Sequence, residues 1–138
     1  SDLVHTSGVD RVLSHVMDHG RHMCVASNST RDHISLGLNR TGLESWFNPD
    51  FVFSGREMPK PKPAPDLHLH CLNAFDLSAD RAVVIEDSLA GAQGAVAAGI
   101  SFWGYVGVHP EPEQQAEALL AAGAQRVLFD WKEFELPG

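Results

Sequence analysis

The stretch that most constrains the fold is residues 82–92, whose sequence is AVVIEDSLAGA. Its first four residues are apolar, and Val83, Val84 and Ile85 are β-branched. A short apolar run of this kind is typical of a central parallel strand that helices cover on both faces. The residues after the run, which include Gly91, permit a tight exit into a helix. The stretch therefore predicts a buried strand followed directly by a helix, which is the repeating unit of an α/β fold.

Two adjacent carboxylates, Glu86 and Asp87, stand at the carboxyl end of this predicted strand. Open α/β sheets bind their ligands just beyond the carboxyl ends of their strands, so these two residues are candidates for chemistry. Acidic residues in this position also cap helices and interact with the helix dipole. The stretch by itself leaves both interpretations open.

Segments with helical and strand periodicity alternate along the rest of the chain, and Gly residues stand where several of the helical segments stop. This order predicts one α/β domain over residues 1–138, with a Rossmann-like parallel sheet and helices on both faces. The predicted strands cover residues 23–26, 51–53, 82–85, 100–106 and 127–129. The predicted helices cover residues 9–17, 31–40, 65–75, 89–99 and the segment from 112 to the stop at Gly123. Their apolar stripes include Val9, Val12, Met17, Ile34, Leu38, Leu67, Leu89, Ala92, Val96, Ala116, Leu119 and Leu120.

The charge and the cysteines restrict the class of partner and the compartment. With 18 acidic and 10 basic residues, the chain has a formal net charge of −8, which argues against nucleic acid or an anionic membrane as the main partner. The same charge suits a site that holds a divalent cation. We expect no signal peptide or membrane span, because no stretch has the required pattern. Cys24 and Cys71 are expected to be separate buried thiols, so a cytoplasmic location is predicted.

Polar side chains follow three of the predicted strands. Ser27 and Asn28 follow the first, Lys60 and Lys62 lie in the loop after the second, and the carboxylates at 86–87 follow the third. Because the carboxyl ends of parallel strands lie at the same edge of a sheet, we expect a hydroxyl, an ammonium group and two carboxylates to converge there.

Each of these clusters also has a simpler structural interpretation. Residues 27–30, with the sequence SNST, are a good helix-capping run. Residues 60–63, with the sequence KPKP, are typical of a solvated polyproline segment.

Taken together, the three clusters resemble a known family. The segments VASNS at 25–29, KPAPD at 62–66 and VIEDSLAG at 84–91 are similar to motifs two, three and four of the haloacid dehalogenase-like superfamily. The likeness is to its phosphatases and phosphomutases of the β-phosphoglucomutase type, and it extends from the helix at Val9 to about Phe129. Lys60 lacks the Ala-Pro-Asp context that follows Lys62, so we expect it to be a surface residue.

The resemblance implies phosphoryl transfer from a small phosphorylated metabolite through an aspartyl-phosphate, assisted by Mg²⁺. It implies that Ser27 holds a phosphate oxygen through its hydroxyl and backbone N–H, with Asn28 beside it. Lys62 would neutralise charge between the phosphate and the nucleophilic carboxylate. Asp87 would be a magnesium ligand, and Glu86 a direct or water-mediated one. These roles suit the chemistry, because Mg²⁺ prefers hard oxygen ligands and phosphoryl transfer needs positioned positive charge.

The sequence departs from the family at its first motif, D-x-D-x-[TV], whose first aspartate is the nucleophile and which this chain does not contain. Residues 1–7 resemble the exit from the cap segment that follows that motif. In the family, the missing strand lies between the strands that correspond to Val25 and Val84. Unpaired strand edges are unfavourable, so we expect residues 23–26 and 82–85 to pair directly or to be bridged by a partner chain. The partner would be a second copy in a homodimer or a complementing N-terminal fragment.

Two functions of different classes follow from the sequence. The first is a magnesium-dependent phosphatase domain that is inactive alone because its nucleophilic aspartate is absent. The second is a non-catalytic binding or dimerisation module derived from such a phosphatase.

Overall fold

The computed structural model describes residues 9–136. The similarity of residues 1–7 to a cap exit falls on residues outside this range. Within residues 9–136, five helices and five strands alternate, as the sequence predicts. The helices are α1 (Val9–Asp18), α2 (Arg31–Thr41), α3 (Asp66–Phe75), α4 (Leu89–Ala97) and α5 (Pro112–Ala121). The strands are β1 (Val25–Ser27), β2 (Val52–Ser54), β3 (Val83–Glu86), β4 (Ser101–Tyr105) and β5 (Arg126–Leu128).

All the strand pairs that the structure describes are parallel, but they form two sheets rather than one. β1 pairs with β2, aligning Val25 with Val52. The second sheet has the order β3-β4-β5, and its β3 aligns Ile85 with Trp103 of β4. Of the two arrangements expected for residues 23–26 and 82–85, direct pairing is therefore wrong, and bridging by a partner chain stays a prediction. A cleft of about 450 Å³ separates β1 from β3, and its lining includes Val25 and Ile85.

Two helices connect the halves of the molecule. α1 contributes Val9 to the core cluster around β1 and β2, and Val12 to the cluster that contains Trp103 and Leu128 of the other sheet. α3 packs against β1, β2 and α4. Helix packing therefore joins the two sheets, although no described strand pair does.

The helix ends follow local chemistry that the sequence predicts. Gly42 closes α2 with a φ of 73°, the left-handed conformation that glycine adopts without a Cβ clash. Its N–H donates to the carbonyl oxygens of Leu38 and Asn39, which the helix leaves without intrahelical partners. Ile34 and Leu38 of the same helix are buried, as their spacing predicts.

The apolar stripes are less accurate at several large side chains. Met17 of α1 and Leu120 of α5 are about half exposed, although the spacing predicts that both face inward. On α4 the buried face consists of Gly91, Ala92, Gly94 and Ala95, whereas Leu89 and Val96 are exposed. The buried face carries small residues because α4 lies close to its neighbours. A Cβ at Gly94 would be only 3.1 Å from the ring of His68.

Candidate functional site

The centre of the site is the side chain of Lys62, which is buried between the two sheets. Its Nζ donates one hydrogen bond to the carbonyl oxygen of Ala26 in β1 at 3.1 Å and another to Oε2 of Glu86 in β3 at 2.8 Å. The Lys62 side chain is 2% exposed, so the solvated interpretation of this loop is wrong for Lys62. Lys60 is exposed, as predicted.

The side-chain amide of Asn28 fixes the backbone of Lys62. Its Oδ1 accepts from the Lys62 N–H at 3.0 Å, and its Nδ2 donates to the Lys62 carbonyl at 3.2 Å. A Cβ at Gly55 would lie 2.3 Å from Asn28 Oδ1, so this arrangement requires glycine at position 55. Asn28 thus positions the lysine, and its predicted contact with a phosphate stays a prediction.

Ser27 is the last residue of β1 and is buried at the edge of the cleft. Its Oγ accepts from the N–H of Ser29 at 3.2 Å. The N-cap of α2 is Thr30, whose hydroxyl oxygen accepts from the N–H of His33. The run at 27–30 therefore does contain a helix cap, but Ser27 lies in the strand and does not supply it.

Glu86 is the last residue of β3, and its carboxylate is held from three directions. Oε2 receives the Lys62 hydrogen bond, and Oε1 accepts from the Asp87 N–H and the Ser88 hydroxyl, both at 3.2 Å. Burial opposes ionisation of this carboxyl, but the charge and hydrogen bond of Lys62 outweigh it and hold the Glu86 pKa below its usual value. A Cβ at Gly91 would lie 1.9 Å from Glu86 Cδ, so only glycine leaves room for the carboxylate.

Neither acidic residue caps α4. The N-cap is Ser88, whose Oγ accepts from the Gly91 N–H at 3.1 Å. The Asp87 carbonyl oxygen accepts from Nε2 of Gln115 at 2.9 Å, which ties the end of the β3 segment to α5. Glu86 and Asp87 therefore do not supply the N-cap of α4.

The donor set at this strand end fits a magnesium ion. The Glu86 carboxylate accepts from the Asp87 backbone N–H and from Lys62, so two consecutive acidic residues stand at the strand end that holds a single ammonium group. Residues 9–136 contain no group of three or more His, Cys, Asp or Glu side chains that could hold a metal ion. Mg²⁺ does not need such a group, because one or two carboxylates and several waters complete its coordination. Since Lys62 already engages Glu86, Asp87 is the better direct ligand and Glu86 the better water-mediated one.

Sequence reasoning missed the role of His68. This residue of α3 is 3% exposed, and its Nε2 donates to the carbonyl oxygen of Gly91 at 3.2 Å. Burial and the nearby charge of Lys62 lower the pKa of His68, which favours the neutral ring. The available signal was its position next to Leu67, which the predicted apolar stripe of α3 places inward.

The arrangement therefore defines an α/β protein with a polar site at the carboxyl ends of parallel strands. Ser27 and Glu86 line the cleft, and Lys62, from a third segment, contacts Glu86 and the carbonyl oxygen of Ala26, the residue before Ser27. The chemistry that these groups support is binding of an anion next to a cation. No helix within residues 9–136 is long and apolar enough to cross a bilayer.

Comparison with known proteins identifies the family. Residues 2–105 match the haloacid dehalogenase-like hydrolases, and the chain belongs to this family. Among curated relatives, it is 32% identical over 78 residues to 6-phosphogluconate phosphatase of Escherichia coli, covering 56% of this chain and 35% of that one. It is 31% identical over 114 residues to phosphoglycolate phosphatase of Thiobacillus denitrificans, covering 80% of this chain and 49% of that one.

Solved structures agree with this assignment. A haloacid dehalogenase-like protein of unknown function from Agrobacterium tumefaciens superposes with a TM-score of 0.83 at 33% identity, covering 92% of this chain and 56% of that one. A family hydrolase from Deinococcus radiodurans, solved with bound phosphate and sodium, gives a TM-score of 0.81 at 33% identity, with coverages of 93% and 56%. The chain thus spans about half the length of the structures it matches. The resemblance inferred from the three motifs is confirmed at the level of family and fold.

Proposed function

We propose that this chain supplies the phosphate-binding and cation-binding part of a magnesium-dependent phosphatase that acts on a small phosphorylated metabolite. The observation that carries the proposal is the position of Lys62, whose ammonium group contacts both β1 and β3. This contact joins Glu86, which precedes Asp87, to Ala26, which precedes Ser27, and it supports a shared site for these groups. The names of the two curated phosphatases given above support the same class of reaction.

Each residue has a distinct task in this proposal. Ser27 would bind a phosphate oxygen through its hydroxyl and its backbone N–H. Lys62 would stabilise negative charge on the phosphoryl group, and burial strengthens that interaction because water does not screen it. Asp87 would hold Mg²⁺, with Glu86 acting through a water molecule, and the ion would neutralise charge on the transferred phosphoryl group. Asn28 would act indirectly, by fixing the backbone of Lys62.

The nucleophilic carboxylate has to come from a segment that these 138 residues do not contain, since no D-x-D-x-[TV] motif is present. The cleft between β1 and β3 supports this part of the proposal. The described strands flanking it are parallel members of their sheets, and neither is paired to the other. An extended segment could therefore bond to both strand edges in the way that peptides add to exposed sheet edges. The segment would belong to a complementing N-terminal fragment or to a second copy of the chain.

A complementation assay tests this function. The chain would be mixed with an N-terminal fragment that carries a D-x-D-x-[TV] strand, and hydrolysis of a generic phosphomonoester would be followed with and without Mg²⁺. We expect no turnover from the chain alone and Mg²⁺-dependent turnover from the mixture. Asp87→Asn should abolish that turnover, whereas Lys60→Met, a change at an exposed lysine, should preserve it. Binding of the fragment without turnover would contradict the enzymatic proposal.

The same cleft favours one alternative function, which is a non-catalytic binding or dimerisation module. Sedimentation equilibrium of the chain alone distinguishes the two sources of a bridging segment. A dimer would indicate that a second copy covers the cleft, and a monomer that binds the fragment would favour complementation. The acidic net charge supports a partner that is neither nucleic acid nor membrane, and a cytoplasmic location is part of the proposal.

A further inference from the structure

Two cysteines meet at the wall of the cleft, away from the groups proposed for phosphate and metal binding. Cys24 immediately precedes β1 and contributes to the cleft lining. Cys71 lies in α3, a helix that packs against β1. Both are free thiols and half-buried, and their side chains hydrogen bond to each other. Residues 47 positions apart in sequence are therefore already in side-chain contact.

The two thiols of this pair are not equivalent. The hydrogen bond with Cys71, together with burial, raises the pKa of Cys24. The same hydrogen bond lowers the pKa of Cys71, although burial opposes the effect, and the charge of Lys62 adds to the lowering. A thiolate is the reactive form of cysteine, so Cys71 is the residue from which a reaction would begin.

We propose that Cys24 and Cys71 are a redox-active pair that a small peroxide converts into an intramolecular disulfide between the start of β1 and α3. The pair is reachable for such an oxidant because Cys24 lines the cleft. It is also preorganised, because α3 packs against β1 and the two side chains hydrogen bond before any covalent bond forms. The proposal does not depend on the phosphatase function, in which neither cysteine takes part.

The reaction balances with hydrogen peroxide as the oxidant. The Cys71 thiolate attacks one peroxide oxygen, the O–O bond breaks and hydroxide leaves, which gives a sulfenic acid at Cys71. The Cys24 sulfur then attacks the Cys71 sulfur, the S–O bond breaks, and the leaving oxygen takes up the Cys24 proton as water. In total, two thiols and one peroxide give one disulfide and two waters, and the two electrons lost by the sulfurs reduce the peroxide.

The disulfide would fix the start of the strand that ends at Ser27 against the helix that follows the Lys62 loop. Closing the chain between residues 24 and 71 also restricts the unfolded state. We therefore expect the oxidised protein to melt about 10 °C higher than the reduced protein. Reduction with dithiothreitol should return the melting temperature to its original value.

Titration of the purified chain with hydrogen peroxide tests the proposal. With one equivalent, we expect both free thiols to disappear, the intact mass to fall by two hydrogens, and a peptide map to show residues 24 and 71 linked. Matched single variants separate the roles of the sulfurs. Cys24→Ser should stop at a sulfenic acid that dimedone traps, and Cys71→Ser should react at least about tenfold more slowly.

Three outcomes would overturn the proposal. The first is a disulfide that links two chains, seen as a dimer on a non-reducing gel. The second is oxidation of either cysteine to sulfinic acid without a link between them. The third is a wild-type rate no faster than that of Cys71→Ser, because the reactivity assigned to Cys71 would then be absent and the two thiols would be ordinary packing residues.

Discussion

Two ion pairs in this protein have the same length and opposite surroundings. Arg31 Nη2 lies 2.8 Å from Glu57 Oε1, and Lys62 Nζ lies 2.8 Å from Glu86 Oε2. The side chains of the first pair are 44% and 50% exposed, whereas those of the second are 2% and 4% exposed. The first pair joins the start of α2 to the turn after β2 within one half of the molecule. The second pair joins the two sheets.

The length of an ion pair therefore does not indicate how strongly the stability of the fold depends on it. Water and salt screen an exposed pair, and holding two long side chains in place costs entropy, so such pairs contribute little. A buried pair also brings little net stability, because desolvation offsets the attraction, but removing one partner leaves the other charge buried and uncompensated. Lys62 and Glu86 therefore depend on each other in a way that Arg31 and Glu57 do not.

The largest predicted effect is that of Lys62→Met. The variant keeps the length of the side chain and removes its charge, which leaves the Glu86 carboxylate buried without its ammonium partner. We expect the free energy of unfolding to fall by about 3–5 kcal/mol, measured by urea denaturation. Lys60→Met, at an exposed position in the same loop, is the control and should leave the urea midpoint unchanged.

A double variant tests whether the unpaired charge of Glu86 causes this loss of stability. Adding Glu86→Leu to Lys62→Met removes the orphaned charge, so part of the lost stability should return. A double variant less stable than Lys62→Met alone would show that Glu86 stabilises the fold through Ser88 and the Asp87 N–H rather than through the ion pair.

The next effect concerns the space that the buried carboxylate occupies. Gly91→Ala would place a methyl group 1.9 Å from Glu86 Cδ, so the carboxylate must move away from Lys62, and we expect a loss of about 1–3 kcal/mol. Gly37→Ala in α2 is the matched control, since nothing lies within 4 Å of its Cβ position. That change should stabilise the protein by about 0.5–1 kcal/mol, because alanine favours the helix. Equal effects on the thermal midpoint would refute the crowding at Gly91.

Lowering the pH should affect the two ion pairs differently, because the carboxylate of one is buried and that of the other is half exposed. The pKa of Glu86 is lowered in the folded state, so its contribution is present above its usual pKa of 4.5 and is lost as the pH falls from 4.5 through the lowered value. The hydrogen bond from Arg31 also lowers the pKa of Glu57, but half of that side chain is exposed and solvent screens the pair. We expect the fall in unfolding free energy between about pH 6 and about pH 3 to be smaller in Glu86→Gln than in the wild type. In Glu57→Gln the fall should equal that of the wild type.

The smallest predicted effect is that of Arg31→Gln, which removes the exposed ion pair. The urea midpoint should not change measurably, and the difference from the wild type should stay negligible as salt is added, because solvent already screens this pair. A loss of stability comparable to that of Lys62→Met would contradict this expectation, since it would mean that exposure does not govern how much these pairs contribute to stability.

The elements of this fold could be predicted because their signals are local. The β-branched run of β3, the spacing of Ile34 and Leu38 in α2, and the glycine that ends that helix each depend on neighbours within a few residues. Parallel strands then place residues after β1 and β3 at one edge, so the sequence also indicated that Ser27 and Asp87 would lie near Lys62. Periodicity was least reliable at Met17 and Leu120, because it locates a helix face but not what covers that face.

The sequence alone indicated the order of the helices and strands, the family motifs and the types of chemical group at the site. Only the tertiary structure decided that β1 and β3 stand apart across a cleft, that Lys62 bridges them, and that Asn28 holds the lysine backbone. The physical reason is the separation in sequence over which each signal acts. Local patterns record the preferences of a turn or a strand, whereas the burial of Lys62 depends on segments 24 to 36 residues away meeting in space.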